Sequence, residues 1–119
     1  MFHIERDIRD FAVLTRVFGE VDLSVIDELR QAFDTALALS TPPFPLVLDL
    51  DGVTFLSSAG LAELVDADGR ARQRGVALRI VTTRREVLRP VEVTGLRERL
   101  DIRGSVEDAL STDVPAAQN

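Results

Sequence analysis

Leu46-Val47-Leu48-Asp49-Leu50-Asp51-Gly52-Val53-Thr54-Phe55-Leu56-Ser57-Ser58-Ala59-Gly60-Leu61 is the stretch on which the fold turns. Leu46 to Leu50 are mostly apolar on both alternating faces, the pattern of a central strand covered on each side. After Asp51-Gly52 and Val53 to Leu56, the small group Ser57-Ser58-Ala59-Gly60 opens a helical pattern. Its apolar side carries Leu61, Leu64, Val65 and Ala71, and Gly75 closes it. A strand that passes into a helix through small residues is how an α/β layer is built.

The same alternation extends in both directions. Upstream, Phe2 to Ile8 alternate apolar and polar side chains, and Phe11 to Phe18 follow after a short polar break at Arg9-Asp10, which predicts an antiparallel hairpin. Ile26, Leu29, Phe33, Ala36 and Leu37 then fall on one helical face, with Asp22 or Ser24 as the N-cap and Ser40-Thr41-Pro42-Pro43 as the stop. Downstream, Val76 to Val81 reads as a strand, Arg84 to Val93 as a helix, Leu100 to Ile102 as a short strand and Ser105 to Leu110 as a last helical turn. The reading is one α/β domain over residues 1–112, followed by a short frayed tail over 113–119.

Composition removes whole classes of chemistry. No cysteine is present, so disulfides, thiolate metal sites and thiol nucleophiles are excluded. His3 is the single histidine, and with no second imidazole the chain lacks the base that serine hydrolysis needs. The net charge of −6 opposes attraction to phosphate backbones or anionic lipid, so neither nucleic acid nor membrane is expected as a partner. The charge is uneven: residues 1–69 hold 13 acids and 4 arginines, residues 70–119 hold 7 acids and 10 arginines. A two-signed surface suits a protein partner. With no secretion signal and no apolar run able to span a bilayer, the expected location is the cytoplasm.

Ligand sites in open α/β sheets lie at the carboxyl ends of strands, which directs attention to Ser57 and Ser58. As a local feature, a hydroxyl there caps the helix, while Ala59 and Gly60 allow close packing. The turn lacks the glycine spacing and lysine of a nucleotide cradle. Asp49 and Asp51 are read as a solvated strand end rather than as a magnesium or acid-base pair, since no further oxygen ligands accompany them. No metal and no cofactor is expected. Arg84, Arg85 and Arg89 form an anion patch or else pair with acids and solvent.

Residues 46–61 closely resemble the phosphorylation-site segment of the STAS-domain anti-sigma factor antagonists of bacteria, and Gly19-Glu20-Val21-Asp22 is similar to that family's second recurring motif. The order of elements matches over about residues 2–110. The resemblance implies a small mixed sheet of about five strands flanked by about four helices. It also implies a non-enzymatic switch that binds an anti-sigma factor and so releases a sigma factor. The implied partner surface comprises Asp22, Ser57, Ser58, Ala59, Gly60 and Leu61, and the implied kinase partner is an ATPase-fold anti-sigma factor.

One position departs from the family pattern of Asp, Ser, phosphoacceptor Ser or Thr, then Gly. Aligned on Gly60, Ser57 stands at the Asp, Ser58 at the first Ser, and Ala59 at the acceptor. Either Ser58 or Ser57 takes over as acceptor, with Ser58 the candidate, or phosphorylation does not switch this chain. The second reading is preferred, because a shift of one residue at a helix start turns a side chain by about 100°. A small-ligand sensor or scaffold module in a stress-signalling assembly is the alternative function on the same fold.

Overall fold

Strands β1 (His3–Arg9) and β2 (Ala12–Val21) form the expected antiparallel hairpin. Asp10 and Phe11 make its turn, both at positive φ (51° and 70°), as the twist of a tight hairpin demands. A 3₁₀ turn over Leu23–Val25 leads into α1 (Ile26–Leu39), and then β3 (Leu46–Leu56), α2 (Ser58–Gln73), β4 (Leu78–Val81), α3 (Arg85–Val93), β5 (Asp101–Arg103) and α4 (Val106–Leu110) follow. This computed structural model describes residues 1–111, so the expected tail at 113–119 and its boundary at 112 lie outside the described residues.

The five strands lie side by side in chain order, with β1 antiparallel to β2 and every later pair parallel, which makes the sheet mixed. β3 occupies the middle, as its two-faced apolar pattern requires. Leu46, Leu48 and Leu50 face a layer made by α1, α2 and α3, where Leu29, Phe33, Leu64, Ala67, Val87 and Val91 are buried with them. Val47 faces the other way, and with Leu14 and Val81 it is covered by Ala109, Val106 and Leu110 of α4.

A helix of five residues is only about 7–8 Å long, so α4 shields one end of that second face and leaves the rest to polar side chains. Arg16 and Asp49 stand there, half-buried, with Arg16 Nε 3.4 Å from Asp49 Oδ2. This corrects the reading of Asp49 and Asp51 as a strand end. β3 runs on through Asp51 and Gly52 to Leu56, because register shifts against β2 after Arg16 and after Gly19 keep the two strands paired. Asp51 is also engaged: its Oδ1 accepts from the backbone N–H of Thr83 at 2.8 Å.

Remote ion pairs tie the helical layer together. Glu63 of α2 is buried, and its Oε2 accepts from Arg30 of α1 at 2.8 Å and 3.1 Å. Arg70 of α2 reaches Asp34 of α1 and Asp66 of its own helix. The Glu63 carboxylate holds the Arg30 guanidinium above its ordinary arginine value through a hydrogen bond and direct charge attraction. No described helix is long and apolar enough to cross a membrane.

Candidate functional site

The carboxyl ends of β2 and β3 emerge next to each other, with Val21 opposite Leu56 in the register. Beyond them the chain makes two capped helix starts. Asp22 Oδ1 accepts from the Ser24 N–H at 3.0 Å and from the Ser24 hydroxyl at 2.6 Å, so Asp22 is the N-cap of the 3₁₀ turn that precedes α1. Ser57 Oγ accepts from the Gly60 N–H at 3.1 Å, so Ser57 is the N-cap of α2. Each satisfies an amide that the helix itself leaves unpaired.

A backbone bond joins the two starts: the Ser57 N–H donates to the Val21 carbonyl at 2.9 Å. Asp22, next along the chain from Val21, is therefore held beside the Ser57 turn, although 35 residues separate the two caps. Ser58 is exposed, while Asp22, Ser57 and Ala59 are half-buried. Gly60 and Leu61 are buried, and Leu61, at 5 % exposure, packs into the main core. The six candidate residues thus divide into four that solvent reaches and two that anchor the helix start from behind.

Sequence periodicity did not single out three apolar side chains around this corner. Leu23 is 77 % exposed beside Asp22, Phe55 is 50 % exposed just before Ser57, and Val93 at the end of α3 is 75 % exposed. Leu23 stands three residues before Ile26, in step with Leu29 and Phe33, so spacing alone does not mark it as exposed; it is exposed because it lies in the 3₁₀ turn before α1. Of the three arginines singled out, Arg84 lies 3.7 Å from Glu86, whereas Arg85 and Arg89 are exposed and have no carboxylate partner among the described residues.

The arrangement can do little covalent chemistry. The Ser57 hydroxyl is committed to its cap, and His3 lies on β1, 3.1 Å from Glu5 and tilted against Phe18 with ring centroids 5.7 Å apart. What the corner offers is a hydrogen-bonded, solvent-facing ledge at a helix N-terminus, edged by exposed apolar groups. Such a surface suits recognition by another protein.

A family model described as the STAS domain matches residues 3–109. The chain is similar to the anti-sigma-F factor antagonist RsfA of Mycobacterium tuberculosis, with 33% identity over 102 residues that cover 86% of this chain and 80% of that one. It is also similar to the anti-sigma-F factor antagonist RsfB of the same organism, with 33% identity over 108 residues covering 88% and 83% of the two chains. Among solved structures, an anti-sigma factor antagonist from Mycobacterium paratuberculosis superposes with a TM-score of 0.84 at 28% identity, covering 92% of each chain.

Proposed function

We propose that this chain, which belongs to the STAS domain family, is an anti-sigma factor antagonist: it binds an anti-sigma factor, releases a sigma factor and so regulates bacterial transcription. The observation that carries the reading is the bond between Ser57 and Val21, which makes the Asp22 cap and the start of α2 one preformed ledge. Preformed surfaces lose little conformational freedom on binding. The names of the similar mycobacterial proteins support antagonism over a ligand-sensing role.

In this reading Asp22, Ser57, Ser58 and Ala59 touch the partner, and Gly60 and Leu61 hold them in place. The protein acts by occupying the partner rather than by turnover, and the partner is an ATPase-fold serine kinase. A phosphoryl group at the ledge would add nearly two negative charges and disfavour docking by repulsion and desolvation. This chain has a methyl group at the acceptor position, Ala59. The neighbouring Ser57 hydroxyl is held in the cap, and Ser58 points about 100° away around the helix start. The ledge therefore stays unmodified, and control comes through abundance or a competing partner.

The test is titration of the protein with each purified anti-sigma factor of its host, followed by transcription with the sigma factor that each one holds. Binding with restored transcription is the expected result, and no binding to any of them overturns the reading. Incubation with the kinase and ATP should leave the intact mass unchanged. Stoichiometric phosphate on Ser57 or Ser58 would instead show an acceptor shifted along the turn.

A further inference from the structure

On the α3 side of the ledge runs a shallow groove lined by Phe55, Leu56, Arg85, Glu86, Arg89, Pro90 and Val93. It is continuous with the proposed partner surface, because Leu56 directly precedes Ser57. Arg85, Arg89 and Val93 are spaced four residues apart, so they form one stripe along α3. Nearby arginines are paired, Arg84 with Glu86 and Arg97 with Glu92. Arg85 and Arg89 have no such partner among the described residues, and as like charges one turn apart they repel each other. Two unpaired cations thus stand beside an apolar floor that exposes half of Phe55 and most of Val93.

The opposite flank has the opposite sign. Around the Asp22 corner stand Glu20, Asp22, Asp27 and Glu28, with Asp27 almost fully exposed. Since strand order places β2 on one side of β3 and β4 on the other, the start of α2 lies between an acidic flank from β2 and α1 and a basic flank from α3. The charge imbalance between the two halves of the sequence is here gathered across one surface. Such a gradient fixes the orientation of a docking protein and rejects the reverse pose.

We infer that the groove between Phe55 and α3 is the second half of the anti-sigma factor interface, taking an apolar side chain flanked by carboxylates on the partner. The inference rests on the proposed antagonist function. It assigns to Arg85 and Arg89 the role of pairing with partner acids, and to Phe55 and Val93 the role of an apolar anchor site.

The experiment compares affinities for the anti-sigma factor that binds the wild-type chain, using Arg85→Glu/Arg89→Glu, Phe55→Ser, and Ala59→Glu as a report on the ledge itself. All these side chains are at least partly exposed, and thermal unfolding verifies that each variant is folded. The charge reversal should weaken binding tenfold or more, with the deficit shrinking as salt rises. Phe55→Ser should weaken it at least fivefold. If Ala59→Glu abolishes binding while the groove variants bind as wild type, the groove inference is overturned and the antagonist reading stands. Absence of wild-type binding overturns both. If sedimentation shows a wild-type dimer that the charge reversal dissociates, the occupant is a second copy and the inference fails.

Discussion

A Cβ atom placed on Gly60 would lie 2.7 Å from Cγ1 of Val21 and 2.8 Å from Cδ1 of Leu56. Glycine at this position lets the start of α2 rest directly on the ends of β2 and β3. The contact explains why glycine stands at position 60, where the helix start packs directly against the strand end that leads into Asp22.

Gly60→Ala should therefore act as overpacking, with loss of about 1–3 kcal/mol of stability. Urea denaturation checks this. The same substitution should weaken anti-sigma factor binding, since the helix must lift away from Val21. Unchanged stability would mean that the corner is more pliable than its contacts imply.

Ser57→Ala removes the cap on Gly60 N–H and should cost about 1 kcal/mol. Ser57→Asp keeps an acceptor and adds a negative charge at a helix N-terminus, so it should match or exceed the wild type by about 0.3–1 kcal/mol. Midpoints of chemical unfolding for the three proteins should rank Ala below Ser, and Ser at or below Asp.

Thr15 is fully buried in β2, and its hydroxyl has no hydrogen-bond partner among the described residues. Thr15→Val removes that desolvated group at nearly constant shape and should stabilise the protein by about 1 kcal/mol. The check is a raised unfolding midpoint with an unchanged m-value.

Glu63→Gln removes the buried anion that pairs with Arg30, leaving the exposed Asp27 as its direct ion-pair partner, and should lower the melting temperature at neutral pH. The direction of the Arg30 shift fixes the pH dependence. A cation whose value rises on folding stabilises at every pH below its unfolded range, and loses that contribution only as pH climbs through the folded one. Arg30 therefore stays charged and adds no pH dependence of its own between neutral and moderately alkaline conditions. Melting curves of wild type and variant over that range should run parallel.

Ala59→Ser places a hydroxyl at the position that the proposed function takes as the acceptor site. The variant should gain one phosphate from an ATPase-fold anti-sigma kinase, read by intact mass, and lose affinity when modified, while the wild type gains none.

Much of this molecule is written in near-neighbour patterns. The alternation in Phe2 to Ile8, the apolar spacing from Ile26 to Leu37, and the small residues Ser57 to Gly60 each specify a local element, because periodicity and capping depend on residues within four positions. The resemblance of residues 46–61 to antagonist phosphorylation segments pointed to the family for the same reason. The continuation of β3 past Asp51-Gly52 was not legible. It depends on bulged pairing with β2, some thirty residues earlier in the chain.

The sequence by itself determined the order of strands and helices, narrowed the caps to Asp22 or Ser24 and to the Ser57-Ser58 pair, and placed alanine, which has no hydroxyl, at position 59. Only the tertiary structure decided that Asp22 and Ser57, rather than Ser24 and Ser58, are the caps, that Arg30 meets Glu63 across 33 residues, and that Arg85 and Arg89 border Phe55. Burial and ion pairing between distant segments are set when helices settle on a sheet, and spacing along the chain carries no record of which side chains that packing leaves outside.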